Sequence, residues 1–275
     1  MSEGNGAQHS LRYDVNLSIL FTELPVPRRP AAARDAGFDA IEFWWPFTEP
    51  VPGDREVDEF VRAVRDAGVD LVGLNFYAGD MKAGDRGLVS WVGREREFAD
   101  NVDVAIGVAD QLGCRSFNAL YGNRIDGIDP ADQDKLALSN LELAANAASA
   151  IGARLVLEPL SGAPAYPLTT AAHALDVIDQ LGRDDVLLLA DLYHLAANGD
   201  DIDAVIAGQT ARMGHVQIAD APGRGAPGTG ALDIHGHLAR LQAAGYSGHV
   251  GIEYSPGGDS LDSLDWLPRE RRGTA

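Results

Sequence analysis

Four oxygen-bearing side chains stand at the ends of short aliphatic runs in the second half of the chain. Glu158 follows Leu-Val-Leu, Asp191 follows Leu-Leu-Leu-Ala, Gln217 lies in His-Val-Gln-Ile, and Glu253 follows Val-Gly-Ile. Such runs read as buried strands that deliver a polar side chain to the edge of a sheet. If the four strands are neighbours, three carboxylates and an amide oxygen converge. Burying one carboxylate unpaired costs several kcal/mol, and like charges about 4–6 Å apart cannot all stay ionised. A divalent cation resolves that conflict. All-oxygen donors suit Mg²⁺ or Mn²⁺ better than Zn²⁺, which favours nitrogen and sulfur. The bland alternative is that each acid caps the helix after it or pairs with a base. That is the commoner outcome for any one of them, but the chain offers few cations at these strand ends.

The elements that must position these groups alternate regularly. Candidate strands at 15–20, 40–43, 69–76, 116–120, 154–158, 186–191, 215–218 and 249–254 are separated by amphipathic stretches, among them 57–67, 95–112, 135–151, 171–181, 202–211 and 234–244. Several of these stretches end in Gly, as in Ala67-Gly68 and Leu112-Gly113, which marks a left-handed residue just past a helix. Strands separated by helices predict a parallel sheet with right-handed crossovers. At 275 residues, eight such units predict one closed (β/α)₈ barrel over 11–267, with flexible tails at 1–10 and 268–275. A doubly wound sheet would need a G-x-G-x-x-G turn after the first strand, and FTELPVPRRP contains none. Two long loops, 78–93 and 221–230, follow strand C-termini, the face where barrel sites are built.

Composition narrows the partners. With 22 Lys plus Arg against 41 Asp plus Glu, the net charge is −19, which repels nucleic-acid backbones and anionic lipid. The lone cysteine, Cys114, excludes an intramolecular disulfide framework and a Cys-rich zinc site, and reads as an inert buried thiol. The first ten residues lack the basic and apolar regions of a secretory signal, and no apolar run reaches the roughly 20 residues of a membrane span. The expectation is a soluble cytoplasmic protein acting on a small molecule, with a homo-oligomer possible.

At the strand ends the sequence resembles the hydroxypyruvate isomerase family, within the xylose isomerase-like TIM barrels. The resemblance is carried by Asn16–Phe21, Ile41-Glu42-Phe43, Ala78-Gly79-Asp80, Arg86-Gly87 and Gly93–Phe98. It continues through Leu157-Glu158-Pro159, Asp191-Leu192-Tyr193-His194, Gly214–Asp220, Arg224-Gly225 with Pro227–Gly230, and Glu253-Tyr254. It runs from about residue 13 to about 267. The resemblance implies metal ligands at Glu158, Asp191, Gln217 and Glu253, the positions the strand-end argument had selected. It also implies that Glu158 and Glu253 flank the substrate as an acid/base pair, and that His194 and Arg224 bind substrate oxygens. The implied reaction is isomerisation of hydroxypyruvate to tartronate semialdehyde. Ser161-Gly162 stands where the family commonly has an Asn-His pair, and Ser255 where a lysine is common.

Several residues keep two readings. His194 could bind substrate or orient Asp191. Arg224 could close over a ligand or be a solvated loop arginine. Glu42 and Asn75 could reach the substrate or serve structural pairing, and His215 fits a hydrogen-bonded core histidine. Trp44, Trp45 and Phe47 could wall the pocket or pack against another subunit. Arg86 and Arg94 could clamp an anion or tie their loop down. The competing functions are isomerisation or epimerisation of another short sugar or sugar acid, such as a 2-oxo-tetronate, and a non-catalytic sugar-binding barrel. An apurinic endonuclease would need further histidines and a cationic face, which this chain lacks.

Overall fold

The computed structural model describes residues 9–273. Eight parallel strands close in chain order: β1 (Arg12–Asn16), β2 (Ala40–Phe43), β3 (Asp70–Asn75), β4 (Ser116–Asn118), β5 (Arg154–Leu157), β6 (Val186–Asp191), β7 (Met213–Ile218) and β8 (His249–Ile252). Closure comes from β8 pairing with β1, Arg12 opposite His249 and Val15 opposite Ile252. Helices α1 (Arg29–Asp35), α2 (Asp54–Ala67), α3 (Glu95–Leu112), α4 (Pro130–Ala150), α5 (Ala171–Leu181), α6 (Leu192–Asn198), α7 (Ile202–Gln209) and α8 (Ile234–Ala243) surround the barrel. The chain is a (β/α)₈ barrel, as its βα rhythm predicts.

Strands covered on both faces need aliphatic residues at nearly every position, which is why β5 and β6 read as continuous Leu/Val runs. The helices need only one apolar stripe. In α2 it is Phe60, Val61 and Val64, all buried, while Asp54 and Glu56 favour the positive end of the helix. Gly68 then takes a left-handed conformation, φ 66°, and releases the chain into β3.

Three boundaries depart from the expected ones for local reasons. Strand one ends at Asn16 rather than at 20, because the Asn16 Oδ1 accepts the amide of Ser18 at 2.9 Å and bends the chain away. Helix α4 begins at Pro130, five residues before the expected 135: Asp129 caps it, accepting the Ala131 amide at 2.9 Å, and proline suits the first turn. The expectation of loose ends fails for the described part of both tails. His9 is buried, and the Arg272 guanidinium donates to the carbonyls of Ala36, Leu264 and Leu267 at 2.9–3.1 Å. Arg271 donates to the His9 carbonyl at 3.0 Å, so the two ends are tied together. Residues 1–8 and 274–275 of those tails lie outside the described residues.

Cys114 lies wholly buried just before β4, and burial pushes its thiol up to about 11. The folded protein should therefore be inert to a thiol reagent near pH 8 and react only when unfolded by denaturant; rapid labelling of the native protein would contradict this packing.

Candidate active site

Each strand of the barrel delivers one amide or carboxylate side chain at or beside its C-terminal end: Asn16, Glu42, Asn75, Asn118, Glu158, Asp191, Gln217 and Glu253, in strand order. All eight are buried. Register sets them side by side, with Asn16 opposite Glu42, Asn75 opposite Asn118 and Asp191 opposite Gln217. Sequence reasoning, which weighed Glu42 and Asn75 besides the last four strands, missed Asn16 and Asn118, which lie inside the apolar runs 15–20 and 116–120 rather than at their ends.

Asp191 caps the helix after it, α6, with one oxygen, Oδ1 accepting the Tyr193 amide at 2.8 Å, and leaves the other, the buried Oδ2, unpartnered among the described residues. The Glu158 Oε2 accepts from Asn118 Nδ2 at 2.6 Å. Glu253 accepts from Asn16 Nδ2 at 2.8 Å and from Gln217 Nε2 at 2.5 Å through one oxygen, and pairs with Arg224 through the other. Burial, then the neighbouring charges of Glu253 and Asp191, push the Glu158 carboxyl well above the usual range. Burial likewise raises Glu253 to about 8; the Arg224 charge opposes the rise and those of Glu42 and Asp191 add to it. Three carboxylates thus share one nearby guanidinium, whose NH2 also stands 3.7 Å from Asp191 Oδ2. Another free buried acceptor, the Gln217 Oε1, belongs to the same ring of strand ends. Unsatisfied hard oxygen donors in this number fit a divalent cation, and Glu158, Asp191, Gln217 and Glu253 are the residues that could hold it.

His194 sits against this group, its Nε2 3.6 Å from Asp191 Oδ2 and 3.9 Å from Glu158 Oε1. With those two carboxylates it forms a second possible ligand grouping. Its Nδ1 faces the backbone amide of Ser161 at 3.0 Å and the Ser161 hydroxyl at 2.7 Å. A backbone N–H can only donate, so Nδ1 is the acceptor and the neutral ring carries its proton on Nε2, toward the carboxylates. Burial, against the opposing charge of Asp191, lowers this histidine to about 4, so it is neutral near pH 7. Ser161, noted in the sequence only as a departure from the family pattern, fixes the tautomer.

A cavity of about 320 Å³ opens onto these groups, lined among others by Trp44, Asn75, Lys82, Arg86, His194 and Arg224 together with Glu158 and Glu253. Asn75, His194 and Arg224 thus reach the position expected of them. Arg224 is aimed inward from a loop residue with φ 55°, its guanidinium 5.5 Å from the Tyr193 ring. Buried Asp220 staples that loop by accepting the amides of Ala221, Gly228 and Leu232 at 2.8–3.0 Å. The loop over 78–93 brings Lys82 and Arg86 to the wall. It is pinned by Gly87, where a Cβ would lie 1.9 Å from the Leu120 carbonyl oxygen. Arg94 turns instead to Glu97 and stacks 4.6 Å from the Trp91 ring, tying the loop down.

Glu42 does not reach the substrate side. Its Oε1 accepts from Asn16 at 3.1 Å and Gln217 at 2.7 Å, and its Oε2 lies 2.8 Å from His215 Nε2, so both oxygens are committed beneath the cavity. Burial alone would raise Glu42, but the charge and hydrogen bond of His215 with those of Gln217 and Asn16 outweigh it and hold the acid low. His215 rises to about 9 for the reciprocal reason, Glu42 overcoming the effect of burial. Asp14, fully buried nearby without a hydrogen-bond partner, is pushed up by burial and by Glu42.

A family model for the xylose isomerase-like TIM barrel matches residues 30–270. A Streptomyces coelicolor protein provisionally named a hydroxypyruvate isomerase is 54% identical over 270 residues, covering 95% of this chain and 97% of that protein. The Escherichia coli hydroxypyruvate isomerase is 32% identical, with 94% of this chain and 98% of that one covered. A solved Brucella melitensis structure described as an AP endonuclease of family 2 superposes with a TM-score of 0.87 at 32% identity, covering 95% of this chain and 99% of that one.

The site carries a pH signature. Glu253 at about 8, against an ordinary 4.5, holds a proton in the folded state that the unfolded chain has already released. Its stabilising contribution is complete below the unfolded value and is lost as pH rises through the folded one, and His215, raised from 6.5 to about 9, has the same sign. After treatment with a chelator, the protein should unfold at a lower temperature at about pH 9 than at about pH 7. A midpoint that is flat or rising across that window would contradict the assignment.

Proposed function

The chain belongs to the xylose isomerase-like TIM barrel family, among its hydroxypyruvate isomerases, and from that premise we propose that it interconverts hydroxypyruvate and tartronate semialdehyde with Mg²⁺ or Mn²⁺. The observation that carries this reading is the pair Glu158 and Glu253. They rise from β5 and β8, face one cavity, and are both held toward the protonated form near neutral pH.

Interconversion takes a proton from the hydroxymethyl carbon, returns one to the adjacent carbonyl carbon, and moves the hydroxyl proton between the two oxygens. Two carboxyls raised above the ordinary carboxylate range suit those carbon proton transfers, one as base and one as acid. A bound Mg²⁺ or Mn²⁺ would supply Lewis-acid stabilisation of the negative charge that develops beside the carbonyl. The Nε2 proton of His194 and the guanidinium of Arg224 would orient the substrate oxygens. Lys82 and Arg86 make one wall of the cavity cationic, which favours a substrate carrying a carboxylate over a neutral sugar.

Replacing Glu158→Gln or Glu253→Gln should cut turnover by about 10²-fold or more while the fold survives, and activity should vanish in chelator and return with Mn²⁺. Turnover that persists in either variant, or in stripped protein, would refute the scheme. A panel of three- to six-carbon keto acids and ketoses tests the substrate, with preference for a longer sugar acid favouring that class over hydroxypyruvate. Lys82→Gln should raise KM for acid substrates about tenfold with little change for a neutral triose; equal effects on both would remove the lysine from carboxylate recognition.

A further inference from the structure

Gln217 differs from the other three strand-end groups in having two unlike ends. A carboxylate presents oxygen whichever way it turns, whereas an amide turned over would offer a cation an NH2 with no available lone pair. In this structure the choice is made from below. Gln217 Nε2 donates one proton to Glu42 Oε1 at 2.7 Å and the other to Glu253 Oε2 at 2.5 Å. That commits both donors of the nitrogen and leaves Oε1, buried and without a hydrogen-bond partner, as the free end. Turning the amide over would set its oxygen against two carboxylates.

We propose that Glu42, held in place by His215, is the positioning residue that makes Gln217 an oxygen ligand. This inference rests on the reading of the strand-end cluster as a cation site. Glu253 cannot do the task alone, since it lines the cavity and is itself a candidate ligand, whereas Glu42 does not line the cavity and stays below. Its carboxylate is fixed from two sides, by His215 Nε2 at 2.8 Å from Oε2 and by Asn16 Nδ2 at 3.1 Å from Oε1. Asn16 is fixed in turn, its own oxygen being held by the Ser18 amide. The barrel is opened to admit this layer by two strand glycines. A Cβ at Gly251 would lie 2.7 Å from Glu42 Oε1 and 3.0 Å from His215 Nε2, and one at Gly73 would lie 3.1 Å from Glu42 Oε2. A side chain at 251 would force this layer to shift, and one at 73 would crowd it.

The test is Mn²⁺ binding to the full chain by calorimetry, without substrate. Glu42→Met keeps the volume and removes the acceptor, and should weaken Mn²⁺ binding about 10- to 100-fold, as losses of supporting hydrogen bonds to metal ligands do. The exchange variant Glu42→Gln with Gln217→Glu puts the amide below and the carboxylate above. It restores a hydrogen bond between the two positions and leaves an oxygen on residue 217 free, so it should bind Mn²⁺ clearly more tightly than Glu42→Met. Unchanged affinity in Glu42→Met, or an exchange variant no tighter than Glu42→Met, would overturn the proposal. If Glu42→Met does not fold, the exchange variant decides the matter against Gln217→Glu alone, which retains two facing carboxylates and should bind more weakly than the exchange. Failure of the unaltered protein to bind Mn²⁺ would instead sink the cation site. The side-chain amide of Gln217 in metal-free protein would then decide the orientation by NMR: two protected, well-separated proton resonances support it, and solvent-like averaging refutes it.

Discussion

The structure turns on the cost of gathering buried carboxylates at one end of a closed barrel. Glu158, Asp191 and Glu253 come from β5, β6 and β8, and Arg224 pairs with Glu253 and approaches Asp191. Burial first, and then the neighbouring negative charges, raise Glu158 and Glu253. The surroundings are built to sustain this gathering. Asn16 and Asn118 donate to the two glutamates, burial keeps the neighbouring imidazole neutral while Ser161 turns its proton inward, and Asp220 stiffens the loop that carries the arginine.

Below that ring the barrel holds a second polar layer, Glu42 against His215 with Asp14 beside them. Here the charges compensate within the protein: Glu42 is lowered and His215 raised by each other. The two layers therefore differ in kind. In the lower one the glutamate and histidine are paired and serve as a foundation, while the upper one is left short of positive charge. Gln217 joins them, giving its nitrogen to the lower carboxylate and keeping its oxygen for the upper group.

Much of this was legible in the sequence because barrel strands announce themselves as apolar runs closed by one polar residue. The fold, and the ring positions at Glu158, Asp191, Gln217 and Glu253, follow from that pattern alone. What the pattern cannot show is how neighbouring side chains share their hydrogen bonds. Glu42 occupies a strand end like the others, yet its oxygens close onto Asn16, Gln217 and His215 rather than onto a substrate, an outcome fixed by residues of β1 and β7. Lys82 was invisible for a similar reason, since only the folding of its loop against the segment after β4 brings it to the cavity. Arg271 and Arg272 look solvated in sequence, yet they donate to the carbonyls of His9, Ala36, Leu264 and Leu267, contacts that only the folded chain brings within reach.

The double duty of Asp191 has a practical side. One oxygen fastens the first turn of α6 and the other is buried, without a hydrogen-bond partner among the described residues, beside His194 and Arg224. Losing such a cap costs about 0.5–2 kcal/mol by itself, and the loosened turn carries Tyr193 and His194. Mutating this aspartate would strike scaffold and chemistry in one blow, and a dead enzyme would not tell them apart. Glu158 and Glu253 anchor no helix; their hydrogen bonds go to side chains. They are the clean handles for dissecting this reaction.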